Sequence, residues 1–184
     1  IDHLARKINT NINRTAVINP ITLLSLVLLS TPNHAIDEDV LVQQLNLYKK
    51  IAEQLPYDSL IEITPLNGAG IVSYGVQLKA IQRVKHPLGD LICVADNQAV
   101  FLTYFRNNIL HLFILPSLVA CLMQHNGQLQ REQMVAVIAS LYPYLQSELF
   151  LPWHVSEIEG LVNQHIDALI DANMLSRHND TIIS

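Results

Sequence analysis

The spacing of His34 and Asp39 is the first arrangement in this sequence that could do chemistry. Across such a gap a carboxylate can orient an imidazole, and the imidazole can then take a proton from an acceptor hydroxyl. A second account explains the same segment, because Asp37 is a good N-cap for a helix and acidic groups suit the positive end of that helix. In a chain with eight histidines, one such spacing has little weight. The sequence therefore favours capping over catalysis.

The remaining histidines and cysteines lack the spacing of a metal site or a nucleophile site. His154, His165 and His178 have no paired partner in the His-x3-His pattern, and Cys93 and Cys121 do not form Cys-x2-Cys. No glycine-rich phosphate loop and no nucleophile elbow is present in the sequence. Both cysteines lie among apolar residues, which predicts buried, reduced thiols. We therefore expect no catalytic residue, no metal and no cofactor in this chain.

His111 is the histidine of most interest, because it lies in the longest apolar run of the chain, residues 109–123. Buried polar groups in proteins are almost always hydrogen-bonded. We therefore expect a core histidine bonded to a backbone or side-chain group, in preference to a residue that contacts substrate.

Composition excludes a disordered chain, since 50% of the 184 residues are apolar and only 15% are charged. The same excess raises the question of a membrane span. The run 109–123 is interrupted by His111, Pro116 and Ser117, and the run 21–29 is shorter still. A spanning helix needs about 20 predominantly apolar residues. Both runs are therefore predicted as helices buried in a protein core.

Charge is divided unevenly along the chain. Residues 1–106 carry nine basic and nine acidic side chains, whereas residues 107–184 carry two basic and seven acidic ones, a net charge of −5. Proteins that bind nucleic acid need lysine and arginine to neutralise phosphates, so this balance argues against such a partner. A winged-helix module that binds DNA or another protein stays open as an alternative, because Lys79, Arg83 and Lys85 lie near a predicted hairpin.

Apolar periodicity and turn residues predict a mainly α chain with small β-hairpins and winged-helix-like units. Pro143 is expected to end or kink its helix, and Ser156 with Glu159 is expected to form a capping box. Helices are predicted over residues 4–14, 21–29, 37–55, 67–79, 109–123, 131–149 and 156–170, and strands over 61–63, 81–84, 91–94, 99–104 and 176–183.

The first residues of the chain predict an amphipathic helix, since Leu4, Ile8 and Ile12 recur at every fourth position. Because the sequence opens within this pattern and without methionine, we expect it to be a fragment of a longer polypeptide. The expected organisation is one C-terminal domain over residues 1–184. Its sub-units are expected at roughly 1–36, 37–105 and 106–184.

Between residues 104 and 121 an aromatic pair, an asparagine, a Leu-His pair, a phenylalanine and a small pair follow one another. This pattern resembles the C-terminal region of the membrane-bound glycerol-3-phosphate acyltransferases, the large bacterial type related to the mitochondrial enzymes. Further segments that resemble this family are 9–14, 17–20, 31–35, 85–90 and 148–151. The resemblance assigns a family signature, expected to be structural, to Tyr104, Phe105, Asn107, Leu110, His111 and Phe113.

The resemblance implies a parent enzyme that transfers a fatty acyl group from acyl-CoA or acyl carrier protein to glycerol-3-phosphate. The product would be lysophosphatidate, an entry point to phospholipids. The family's catalytic His-x4-Asp lies in an acyltransferase domain upstream, so His34 and Asp39 are not carried over. This chain is then expected to be an inactive domain that packs on that upstream domain. The parent is expected at the cytoplasmic face of the bacterial inner membrane, without a nucleic-acid partner.

Overall fold

A computed structural model describes residues 2–87 and 89–183 of the chain. The chain is mostly helical (63%), with small antiparallel sheets, which confirms the predicted fold class of mainly α with small hairpins. The helices are α1 (Asp2–Arg14), α2 (Pro20–Leu28), α3 (Glu38–Gln54), α4 (Gly68–Gln77), α5 (Ala99–Asn107), α6 (Ile114–Asn126), α7 (Arg131–Leu149) and α8 (Ile158–Asp171). The strands are β1 (Val17–Ile18), β2 (Ala35–Asp37), β3 (Glu62–Ile63), β4 (Ile81–Val84), β5 (Leu91–Val94), β6 (Gln128–Gln130), β7 (Ser176–His178) and β8 (Thr181–Ile183).

These elements form two compact units. The central unit consists of residues 14–110, and the terminal unit combines residues 2–13 with residues 111–183. The sequence analysis placed residues 1–36 in one sub-unit, whereas in the structure α1 belongs with the C-terminal residues and α2 with the central ones. Sequence order alone does not show this grouping, because it depends on which distant segments α1 contacts.

Helix α2 is the core of the central unit. Every residue from Ile21 to Leu28 is buried, which confirms the prediction for this apolar run. Its two buried hydroxyls are satisfied locally, since Thr22 donates to the carbonyl of Asn19 and Ser25 donates to the carbonyl of Ile21. Helices α3, α4 and α5 pack around it.

The hairpin of the central unit has the predicted strands, β4 and β5, which pair antiparallel. Its third strand is β2, which pairs with the other edge of β5 and gives the order β2-β5-β4. Leu88, which the sequence analysis placed in the hairpin turn, lies outside the described residues. The predicted strand at 61–63 is confirmed as β3, which pairs in parallel with β1.

The prediction of a strand over residues 99–104 is wrong, because this segment is helix α5. A short apolar run does not distinguish a strand from a helix by its pattern. The edge of β5 that such a strand needs is already occupied by β2. As a helix, the segment buries Leu102 completely and packs on α2.

Two local features explain how α3 and α4 begin and pack. The carboxylate of Asp37 accepts hydrogen bonds from the backbone N–H groups of Asp39 and Val40, which confirms the predicted N-cap of α3. On α4, a Cβ at Gly75 would lie 2.4 Å from Cδ2 of Leu24, so only glycine permits this approach to α2. The two glycines that weaken the helical pattern of α4 therefore include one that the packing requires.

The terminal unit repeats the order of helix, strand, two helices and hairpin. Helices α6, α7 and α8 contact one another, and the three-stranded sheet has the order β6-β8-β7. In both units the strand before the helix pair joins the last strand of the hairpin. The predicted terminal hairpin is confirmed as β7 and β8. The winged-helix-like character of the units stays a prediction.

Two predictions about the helices of the terminal unit are wrong. Helix α7 does not end at Pro143 but continues to Leu149, because Pro143 lies on its exposed side and water can satisfy the backbone there. The capping box is formed two residues earlier than predicted, by His154 and Glu157, ahead of α8.

Candidate functional site: the aromatic face of helix α5 and the buried His111

The six residues of the predicted signature divide between the surface and the interior. Those on α5 and just after it are exposed or half-buried: Tyr104 (64% exposed), Phe105, Asn107 and Leu110 (38% exposed). The last two are in the core of the terminal unit: His111 (5% exposed) and Phe113 (3% exposed). The sequence pattern therefore combines two physical roles.

An aromatic cluster lies on the outer side of α5. The ring of Phe105 makes edge contacts with Phe101 and Tyr104, with ring centroids 4.7 Å and 5.4 Å apart. Val100 (84%), Phe101 (41%) and Tyr104 (64%) are all exposed. We call Val100, Phe101 and Tyr104 the aromatic face. The sequence analysis missed Val100 and Phe101, because it treated their segment as a strand.

A guanidinium group lies next to the aromatic face. Arg106 donates from Nε and Nη2 to Oδ1 of Asn107, over 3.3 and 3.1 Å. This amide contact holds the guanidinium group of a half-buried side chain at the end of α5. Aromatic and arginine side chains side by side are enriched at protein interfaces.

His111 makes a structural contact within the terminal unit. Its Nε2 lies 3.0 Å from the backbone oxygen of Asn13, one of the last carbonyls of α1, which have no donor within that helix. Burial lowers the pKa of His111 below its usual value of 6.5, and the bond to Asn13 opposes this in part. A buried, neutral imidazole that binds a helix-terminal carbonyl stabilises the fold.

The structure does not bring His34 and Asp39 together as an acid–base pair. Both side chains are exposed, and within the described chain neither a hydrogen bond nor an ion pair joins them. His34 follows Asn33 in a short turn, and both have positive φ values, 52° and 55°. The nearby carboxylate of Asp37 is engaged as the cap of α3.

The other predicted chemical groups are also dispersed. Among residues 2–87 and 89–183, no group of three or more His, Cys, Asp or Glu could hold a metal ion. The expectation of buried thiols is wrong, since Cys121 is exposed and Cys93 is half-buried. Cys121 lies on the outer side of α6, where its carbonyl contacts Nδ1 of His125 over 2.8 Å.

A cleft of about 430 Å³ in the terminal unit was not predicted. Two polar side chains in it already donate to backbone carbonyls, Thr10 to Phe150 and Gln146 to Trp153. Its lining comes from three separate segments of the chain, so no local sequence pattern announces it. The lining residues are Arg6, Thr10, Gln146, Leu151, Pro152, His154 and Val155.

A membrane span is not found in any one helix of the described residues, by length and apolar composition. One bent pair of helices, Ala99–Asn107 with Leu110–Asn126, passes that test only when the two are taken together.

Comparison with known proteins identifies the family. The family model described as "Glycerol-3-phosphate acyltransferase C-terminal region" matches residues 1–184. The chain belongs to this family. No finding supports the DNA-binding alternative.

Curated relatives named "Glycerol-3-phosphate acyltransferase" extend this membership of the glycerol-3-phosphate acyltransferase C-terminal family. One from Xanthomonas campestris pv. campestris is 42% identical over 180 residues, which is 98% of this chain and 20% of the relative. One from Xylella fastidiosa is 43% identical over 175 residues, 95% of this chain and 20% of the relative. One from Pseudomonas paraeruginosa is 37% identical over 180 residues, 98% of this chain and 22% of the relative. The chain therefore spans about a fifth of the length of these relatives.

Proposed function

We propose that this chain is the non-catalytic C-terminal domain of a glycerol-3-phosphate 1-O-acyltransferase. The whole protein transfers a fatty acyl group from acyl-CoA or acyl carrier protein to the first hydroxyl of glycerol-3-phosphate and releases lysophosphatidate. This chain packs against the acyltransferase domain that precedes it and stabilises the active form of that domain.

The observation that carries this proposal is the exposure of the aromatic face. The segment 104–121 resembles the family most specifically, yet its Tyr104 is 64% exposed and points out of the core. Large exposed aromatic side chains beside an arginine are typical of surfaces that contact another protein domain. In the relatives, about four fifths of the protein lies outside the matched region, and that part is the occupant that we assign to the aromatic face.

The arrangement of polar groups supports a non-catalytic role. His111 is buried and bonded to a helix-terminal carbonyl, whereas a general base must reach the proton that it removes. His34 and Asp39 lie apart. The described residues hold no cluster that could bind a metal ion. The chemistry therefore belongs to the preceding domain.

The membrane and cellular location are part of the proposal for the whole protein. We place it at the cytoplasmic face of the bacterial inner membrane, where its product enters phospholipid synthesis. Fractionation of cells that express the full-length protein tests this location, and recovery in the soluble fraction would contradict it.

The functional test compares two full-length variants. Phe101→Ala with Tyr104→Ala removes the aromatic face, and Tyr74→Ala is the matched control, since Tyr74 is also an exposed helical tyrosine of the central unit (40% exposed). We expect the aromatic-face variant to lose most of the transfer of acyl groups to glycerol-3-phosphate, and the control to keep it. Equal activity of the two variants, or lysophosphatidate formation by residues 1–184 alone, would overturn the proposal.

A further inference from the structure

Helix α1 is attached to the terminal unit through its polar side. Thr10 Oγ1 donates to the backbone oxygen of Phe150 over 3.1 Å, and Asn13 Nδ2 donates to that of Leu149 over 2.7 Å. These carbonyls belong to the C-terminal end of α7, where backbone oxygens lack donors within the helix. Side chains of α1 therefore satisfy the end of α7.

The same contact satisfies the end of α1 in return. The backbone oxygen of Asn13 lies 3.0 Å from Nε2 of His111. The two helix ends thus supply hydrogen bonds for each other's environment, and polar groups hold α1 in place.

The apolar residues of α1 face away from this contact. Leu4 is 62% exposed and Ile8 is 50% exposed, and their spacing of four places them on one side of the helix. At about 100° per residue, Thr10 and Asn13 lie roughly 200° and 140° around the helix from Ile8. A surface helix of a complete domain normally has the opposite orientation, with its apolar stripe against the core.

We propose that the stripe of Leu4 and Ile8 docks on the acyltransferase domain that precedes this chain in the whole protein. This inference rests on the proposed function. The family match describes the C-terminal region, and it covers about a fifth of each relative, so the rest of a relative joins the matched region at the α1 end. The docked domain is thus covalently connected next to the stripe.

The charge of the chain disfavours an anionic lipid surface as the occupant. Residues 107–184, most of which belong to the terminal unit with α1, carry a net charge of −5. Anionic membranes attract basic segments and repel acidic ones. A protein surface that covers the stripe has no such conflict, because burial of apolar area does not depend on charge.

The test measures how accessible the stripe is in the full-length protein. Leu4→Cys and Ile8→Cys are labelled with a maleimide, and the labelled peptides are quantified by mass spectrometry. The matched control is Leu60→Cys, since Leu60 is similarly exposed (58%) but lies in the central unit. We expect the stripe thiols to react at least about ten-fold more slowly than the control, because labelling must then wait for local opening of the interface. Equal rates would overturn the proposal.

A second measurement needs no substitution. Hydroxyl-radical footprinting of the unaltered full-length protein reports the oxidation of Leu4 and Ile8 against that of Leu60, and we expect the same protection. Protection that appears only with phospholipid vesicles would identify lipid as the occupant, and protection that disappears on dilution would identify a second copy. Either result overturns the proposal.

The acyltransferase assay on the same preparations separates the two proposals. An accessible stripe in a protein that acylates glycerol-3-phosphate overturns the docking of α1 alone. An unaltered full-length protein that fails to acylate glycerol-3-phosphate overturns the proposed function, whatever the labelling shows.

Discussion

Acid should destabilise the terminal unit through two buried histidines. His111 is 5% exposed and His165 is 8% exposed. A ring nitrogen of each contacts a backbone oxygen, that of Asn13 at 3.0 Å and that of Leu161 at 2.8 Å. Burial disfavours the charged imidazolium, so it lowers the pKa of both histidines below the usual 6.5, although the hydrogen bonds oppose it in part.

The sign of the pH dependence follows from these directions. In the unfolded chain both imidazoles take up protons near pH 6.5, whereas in the folded chain they do so only at lower pH. The free energy of unfolding is therefore fully present above pH 6.5 and falls as the pH decreases toward the folded pKa values. In the window where only the unfolded chain is protonated, each histidine lowers the free energy of unfolding by about 1.4 kcal/mol per pH unit.

Urea unfolding at pH 7, 6 and 5 measures this effect, with the fluorescence of Trp153, the one tryptophan of the chain, as a probe within the terminal unit. His111→Leu should be less stable by about 1 kcal/mol at pH 7, because it loses the bond to Asn13, and should show about half the pH slope. His178→Leu, at an exposed position, is the control and should keep the full slope. A free energy of unfolding that is constant from pH 7 to 5, or an unchanged slope in His111→Leu, would refute the reasoning.

Three further predictions concern the stability of single helices and one phenol. Gly75→Ala should lower the free energy of unfolding by about 1–3 kcal/mol, because its Cβ would overlap a leucine of α2; Gly160→Ala on α8, with nothing within 4 Å, should raise it by about 0.5–1 kcal/mol. Asp37→Ala should cost about 1 kcal/mol by removing the cap of α3, and Asp37→Asn should restore most of it. Burial raises the pKa of Tyr142 to about 12, so Tyr142→Phe should remove the slowest step of the ultraviolet titration of the tyrosines.

Each of these predictions can fail in a distinct way. Denaturant midpoints that change in the same direction for Gly75→Ala and Gly160→Ala would contradict the account of close packing at α4. An Asp37→Ala variant as stable as the unaltered chain would mean that the cap does not hold the start of α3. For Tyr142→Phe, a titration curve unchanged near pH 12 would contradict the assigned environment of the phenol.

Local chemistry made several elements predictable. The cap at Asp37, the hairpin strands β4 and β5 and the buried helix α2 all follow from patterns within a few residues of the chain. The family resemblance at residues 104–121 also depends on sequence alone, and the comparisons confirm it. What these patterns share is that the residues which cause the structure are neighbours in sequence.

The candidate site was only partly predictable for the opposite reason. The segment 99–104 is a helix because β2, more than 50 residues earlier, already occupies the edge of the sheet. His111 is joined to Asn13 across 98 residues, and no periodicity in the sequence encodes such a bond. Sequence spacing placed Tyr104 in a signature, but only the tertiary structure shows that its ring is on the surface.

The amphipathic start of the chain separates the two contributions. The spacing of Leu4, Ile8 and Ile12 by itself determines that one side of α1 is apolar, because the helical repeat places every fourth residue on the same side. Only the tertiary structure decided that this side faces outward. It does so because Thr10 and Asn13 satisfy backbone carbonyls of α7 that the sequence does not place beside them.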